Sequence, residues 1–129
     1  MNSDEISWLM QLHPTFIGVF PIDQLPTPVR ADTCFIVNTD SSNLPGKHWL
    51  AIRVNTNKEA YYFDSLCSYP VARIANHLLR YVTKLYYITE SIQNPLTNLC
   101  GHFCVQYVYC HAVDSNPIKF INNLKLLIS

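Results

Sequence analysis

The feature that most constrains this chain is a pair of β-rich runs joined by a short polar break. His48–Val54 (HWLAIRV) and Glu59–Asp64 (EAYYFD) flank Asn55-Thr56-Asn57-Lys58. Neighbouring runs with a turn between them predict an antiparallel hairpin. In such a hairpin the start of the first strand lies beside the end of the second. His48 opens the first run and Asp64 closes the second. The two become cross-strand neighbours whose side chains can hydrogen-bond. A carboxylate on one imidazole nitrogen fixes the tautomer and supports the imidazolium. The plainer readings are a surface His at a strand start and an Asp closing a strand at a turn.

Around the hairpin the chain is punctuated by proline and Asx-Ser clusters. Asn2 and Glu5 form a capping box for a helix to about Leu12, with Ile6, Leu9, Met10 and His13 on one face, and Pro14 closes it. Phe16–Phe20 is a short apolar piece, and Pro21–Pro28 reads as irregular surface chain. Thr33–Val37 is a continuous apolar strand candidate, and residues 40–46 are a loop by composition. From Pro70, apolar residues recur at Val71, Ile74, Ala75, Leu78, Leu79, Val82 and Leu85, which is helical periodicity with proline in the first turn. Tyr86–Thr89 reads as a fourth strand. Gly101–Val113 is a strongly apolar helix candidate, and Asn116-Pro117 opens an amphipathic helix carrying Ile118, Ile121, Leu124 and Leu127. The expected fold is α+β: one domain over residues 1–129, a small antiparallel sheet with helices packed on it.

Composition removes several functions. Hydrophobic residues make up 49% of the 129 and charged residues 14%, too apolar for intrinsic disorder. Nine basic residues balance nine acidic ones, so the chain lacks the electrostatic footprint of a dedicated DNA binder. Gly18, Gly46 and Gly101, the three glycines, cannot build a phosphate-cradling loop. The acidic, amphipathic first residues do not read as a signal peptide, and no apolar run reaches a bilayer span. The expected compartment is therefore a reducing one, where cysteines are catalytic, metal-bound or buried rather than paired. Five cysteines, an odd number, agree with that.

One cysteine stands in a chemically active context. Leu99-Cys100-Gly101-His102 sets a thiol at the N-terminus of a helix candidate. The helix dipole and a nearby imidazolium lower a thiol pKa, and the thiolate is the nucleophile of acyl transfer. Gln93, seven residues earlier, lies in a loop that must pass this thiol. Its amide can join the Cys100 backbone N–H as an oxyanion hole, where one donor is worth about 10²–10³ in rate. Against these stand a buried structural Cys100 and an ordinary polar loop residue at Gln93.

The stretches GKHWLAIRV, YYFDSL, Gln93-Asn94-Pro95 and Cys100-Gly101-His102-Phe103-Cys104, in that order, resemble the adenovirus-type cysteine proteases, distant relatives of the SUMO-type ubiquitin-like-protein proteases. The resemblance runs from Phe16 to Val113 and includes the entry segment Phe16–Phe20. It implies a papain-like fold in minimal form, with His48 as general base, Asp64 as its orienting acid, Cys100 as nucleophile and Gln93 as oxyanion donor. It sets Trp49 in the substrate cleft, though a buried core Trp explains that residue equally well. It implies cleavage beside small, Gly-type residues in a protein or polyprotein substrate. The implied setting is virion maturation for a DNA virus or a mobile element, in the host nucleus or cytoplasm or in the virion, with no membrane.

Departures from the family qualify this. The acid is Asp where adenovirus enzymes carry Glu and SUMO-type enzymes carry Asp. The stretch after Cys100, residues 101–129, is shorter than the family's C-terminal part. Adenovirus enzymes take an activating peptide through a disulfide upstream of the Gln, and residues 82–92 hold no Cys, so an activating peptide here would bind without that link. They also use DNA through a basic surface, which zero net charge argues against.

Other readings compete. Cys104, one turn on, is the rival nucleophile. Cys100, Cys104, Cys110 and His111 invite zinc, but the C-x3-C-x5-C-H spacing lacks the C-x2-C knuckle, and no cofactor or metal is expected. Cys34, Cys67, His13, His77 and His102 read as residues without a role. Tyr61, Tyr62, Tyr86 and Tyr87 read as sheet-packing aromatics rather than base-stacking platforms. A deconjugating enzyme for ubiquitin-like modifiers and an inert interaction domain on the same scaffold remain alternative functions, with a CE-type acetyltransferase behind them.

Overall fold

The computed structural model describes residues 3–39, 48–64, 70–88 and 124–128. Ser3–Met10 forms α1, with Asp4 and Glu5 in the first turn, where the helix dipole favours negative charge. Ile6, Met10 and His13 are buried, but Leu9 is 39% exposed and Leu12 90%. The buried face is thus narrower than the apolar spacing suggests, and the helix stops two residues short of Leu12. Six strands follow: β1 (Phe16–Pro21), β2 (Thr33–Asn38), β3 (Trp49–Val54), β4 (Glu59–Phe63), β5 (Lys84–Ile88) and β6 (Leu124–Ile128), with α2 (Ala72–Leu78) between β4 and β5. No helix among the described residues is long and apolar enough to cross a membrane.

The strands form one sheet in chain order, β1 to β6. The expected antiparallel sheet is in fact mixed. β2–β3–β4 is an antiparallel meander, but β1 runs parallel to β2 and β4 parallel to β5. Parallel neighbours need a crossover. Residues 70–83, carrying α2, return the chain to the end where β4 began. The helix between two strands was readable; its meaning as a crossover depends on where the chain re-enters the sheet.

Other boundaries differ from the sequence reading, and one segment changes class. α2 ends at Leu78, so Leu85 belongs to β5, yet Val82 and Leu85 still bury beside Ile74, Ala75 and Leu78. Phe16–Phe20 becomes edge strand β1, with an irregular register between Phe16 and Val19. Gly18 lies there at φ +143°, a conformation other residues rarely adopt, and an added Cβ would crowd the Phe20 ring at 3.3 Å. The apolar spacing predicts the end of an amphipathic helix at residues 124–128; they pair antiparallel with β5 instead. An unpaired strand edge exposes a row of main-chain donors and acceptors, and satisfying them outweighs weak local helix preference. The candidate loop 93–100 and helix 101–113 lie outside the described residues.

Side chains alternate across the sheet. One face carries Phe35, Val37, Leu50, Ile52, Val54, Ala60, Tyr62 and Leu85, packed under Ile74, Ala75 and Leu78 of α2. The other buries Cys34, Ile36, Trp49, Ala51 and Phe63. Tyr61 and Tyr86, paired across β4 and β5, stack with ring centroids 5.1 Å apart, which is a packing role.

The β3–β4 turn is held by one side chain. Asn55 Oδ1 accepts from the backbone N–H of Asn57 at 3.0 Å and of Glu59 at 2.8 Å, and its amide donates to Glu59 Oε1 at 3.0 Å. Asn55 N–H donates to the Glu59 carbonyl at 3.0 Å, and Lys58 takes φ 59°. This is the self-bonding for which Asn is favoured in turns.

Candidate active site

The hairpin register decides where His48 and Asp64 fall. β3 and β4 pair Ala51 with Phe63 and Ile52 with Tyr62. Carried one residue further, that register sets Asp64 opposite Leu50. His48 lies two residues beyond Leu50 on the same face, so the two are diagonal neighbours, not directly opposed ones. Diagonal pairs remain within reach of long side chains. His48 Nε2 donates to Asp64 Oδ1 at 2.7 Å. The Asp64 side chain is 5% exposed and that of His48 20%.

Two consequences follow from this bond. A carboxylate only accepts, so the hydrogen sits on Nε2, and Nδ1 is the basic nitrogen of the neutral ring. The carboxylate is the more buried partner, and a short hydrogen bond to a carboxylate gains strength out of water.

The backbone beneath His48 is also held. Thr39, the residue after β2, donates its N–H to the His48 carbonyl at 3.0 Å and its hydroxyl to the same oxygen at 3.4 Å. Thr39 was not singled out by the sequence. Its signal is positional, since the β2–β3 register that pairs Asn38 with Trp49 makes Thr39 the partner of His48.

Trp49 follows His48 and therefore leaves the sheet on the opposite face, where it is 5% exposed. Gln93 and Cys100 lie outside the described residues, as do Cys104, Cys110 and His111. Among the described residues no group of three or more His, Cys, Asp or Glu could hold a metal ion.

A second imidazole–thiol pair lies elsewhere. Cys34 Sγ is 3.8 Å from His13 Nδ1 and 3.5 Å from Thr15 Oγ1. Cys34 is fully buried, and burial pushes its thiol pKa up, with the Thr15 hydrogen bond opposing. A protonated, inaccessible thiol is not a nucleophile. Neither residue was assigned a role from the sequence, and this geometry gives them a structural one.

No family model matches the chain. It is similar to the protease of human adenovirus A serotype 12 (29% identity, covering 81% of this chain and 62% of the relative). It is also similar to the proteases of bovine adenovirus 2 (27%, covering 76% and 55%) and bovine adenovirus B serotype 3 (27%, covering 81% and 62%). The chain thus spans about three fifths of the length of these relatives. Among solved structures, the crystal structure of the ASFV pS273R protease superposes with TM-score 0.59 at 17% identity, covering 92% of this chain and 58% of that one. Its selenomethionine form gives TM-score 0.54 at 24% identity, covering 68% and 38%. In sequence the chain resembles the adenovirus-type cysteine proteases, and its fold is adenain-like.

Proposed function

We propose that the chain is a thiol protease of the viral, adenovirus type. The observation that carries this is the 2.7 Å bond between His48 and a nearly buried Asp64, in a chain similar to adenovirus proteases. In this reading Cys100 is the nucleophile. His48 takes the thiol proton at Nδ1, because Asp64 holds Nε2. The thiolate adds to the scissile carbonyl, and Gln93 with the Cys100 N–H receives the oxyanion. His48 then gives its proton to the leaving amine, and a thioester remains. Water, deprotonated by His48, releases the acid and restores the thiol. Asp64 holds Nε2 throughout and steadies the imidazolium.

The substrates this reading implies are proteins or polyproteins with Gly-type residues at the cut, maturing virion or mobile-element components in an infected cell. The test compares wild type with Cys100→Ala and Cys104→Ala on Gly-Gly peptides. Cleavage should vanish in the first variant and persist in the second; equal cleavage by wild type and Cys100→Ala removes the proposal. Iodoacetamide near neutral pH should alkylate Cys100 well ahead of Cys34. Capture by a ubiquitin-like vinyl-sulfone probe, without cleavage of Gly-Gly peptides, would transfer the site to deconjugation.

A further inference from the structure

Helix α2 turns one flank to the solvent, and that flank is chemically biased. Arg73, Asn76 and His77 fall at i, i+3 and i+4 of α2, the spacing of one helix stripe, and Arg80 follows in the turn that closes it. Facing them is the connection after β1, which contributes Asp23 and Gln24, and the two walls enclose a cavity of about 400 Å³. His77 Nε2 donates to the Pro26 carbonyl at 2.7 Å and ties the walls together. Arg73 and Arg80 are exposed, and neither guanidinium has a carboxylate partner among the described residues.

The groove has a fixed relation to the His48–Asp64 pair. One wall leaves β1 at Pro21, which pairs with Asn38, the neighbour of the Thr39 that holds His48. The other wall begins at Val71, whose N–H donates to Tyr62 Oη at 3.2 Å, two residues before Asp64. Both walls are rooted at the end of the sheet that carries the candidate catalytic pair.

We propose that this groove binds an acidic segment of a peptide substrate, with Arg73 and Arg80 pairing its carboxylates. Guanidinium forks match carboxylates bidentately. The Asn76 and Gln24 amides, which donate and accept, suit peptide N–H and C=O groups between the charged side chains. A nucleic acid, whose charge repeats at every phosphate, fits less well, because the groove offers two guanidinium groups and the chain carries no net positive charge. The role as a substrate site rests on the protease reading; binding itself does not, and the experiment separates the two.

Anisotropy is measured on the full chain carrying Cys100→Ala. The probe is a fluorescein-labelled peptide with a Gly-Gly centre and Asp and Glu on both sides, against its Asn and Gln counterpart. The acidic peptide should bind at least tenfold tighter, and added salt should weaken it. The double variant Arg73→Gln/Arg80→Gln should abolish the preference, each single variant should remove part of it, and Arg30→Gln, at an exposed site outside the groove, should leave it intact. Equal binding of the two peptides, or a preference that survives the double variant, overturns the proposal. Displacement by a single-stranded oligonucleotide or by inorganic phosphate at lower concentration than by unlabelled acidic peptide also overturns it, by identifying a phosphate site. With the active chain, the acidic substrate should show a KM about tenfold lower at unchanged kcat. Peptide binding without any cleavage would sink the protease reading and leave the groove standing.

Discussion

Two histidines in this chain sit beside groups that catalysis could use, and they end in opposite states. His48 lies at the end of the sheet, partly exposed, with a carboxylate on Nε2. His13 follows α1, 8% exposed, with a thiol and a hydroxyl near Nδ1. By residue type alone, His13 with Cys34 is the closer match to a cysteine protease. Environment reverses the ranking. Burial keeps the Cys34 thiol protonated, and nothing the size of a peptide reaches a fully buried sulfur. Proximity of sulfur and imidazole does not make a nucleophile; access and a stabilising charge do.

Removing the charge tests this contrast most severely. Asp64→Ala should lower kcat by about 10²–10⁴, while Asp64→Asn, which keeps an acceptor for Nε2, should recover part of the loss. Steady-state kinetics on a Gly-Gly peptide measure both, and an active Asp64→Ala enzyme would make His48 no different from His13. The converse substitution, His13→Ala, should leave kcat unchanged and cost about 1–3 kcal/mol of stability in urea unfolding. Lost activity in a folded His13→Ala protein would move the chemistry to the His13–Cys34 pair.

The smallest effect is one of pH. Burial raises the folded-state pKa of Cys34 above the unfolded value. Its contribution to stability is therefore fully present below about pH 8.5 and is lost as pH rises toward the folded pKa, because the unfolded chain releases the proton first. Cys34→Ala should remove that share of the alkaline decline. Parallel urea titrations of the two proteins at pH 7.5 and 9.5 read the difference, and identical slopes would mean that the thiol is less enclosed than the structure shows.

What could be read from the sequence follows the distance over which each feature is decided. His48 and Asp64 are joined through a four-residue turn, so local pattern brought them together and missed only the diagonal step. α2 was legible from its periodicity, with a C-terminus drawn too far because Val82 and Leu85 continue the buried stripe outside the helix. The parallel placement of β1 and the pairing of β6 with β5 are set by partners remote in the chain. Leu124–Ile128 carries apolar residues compatible with either period, and the edge of β5 decides between them. His13 and Cys34 are 21 residues apart and meet only because β1 and β2 run parallel.

The Asn55 clasp on the hairpin turn carries a consequence far from where it sits. Whether an acid and a base share one side of a sheet is a matter of odd and even: sixteen positions separate the pair, and strands zipped one step out of phase would present Asp64 to the Trp49 side. An amide at the distant bend, touching neither substrate nor imidazole, thus acts as the counting device that keeps the pair on a common side.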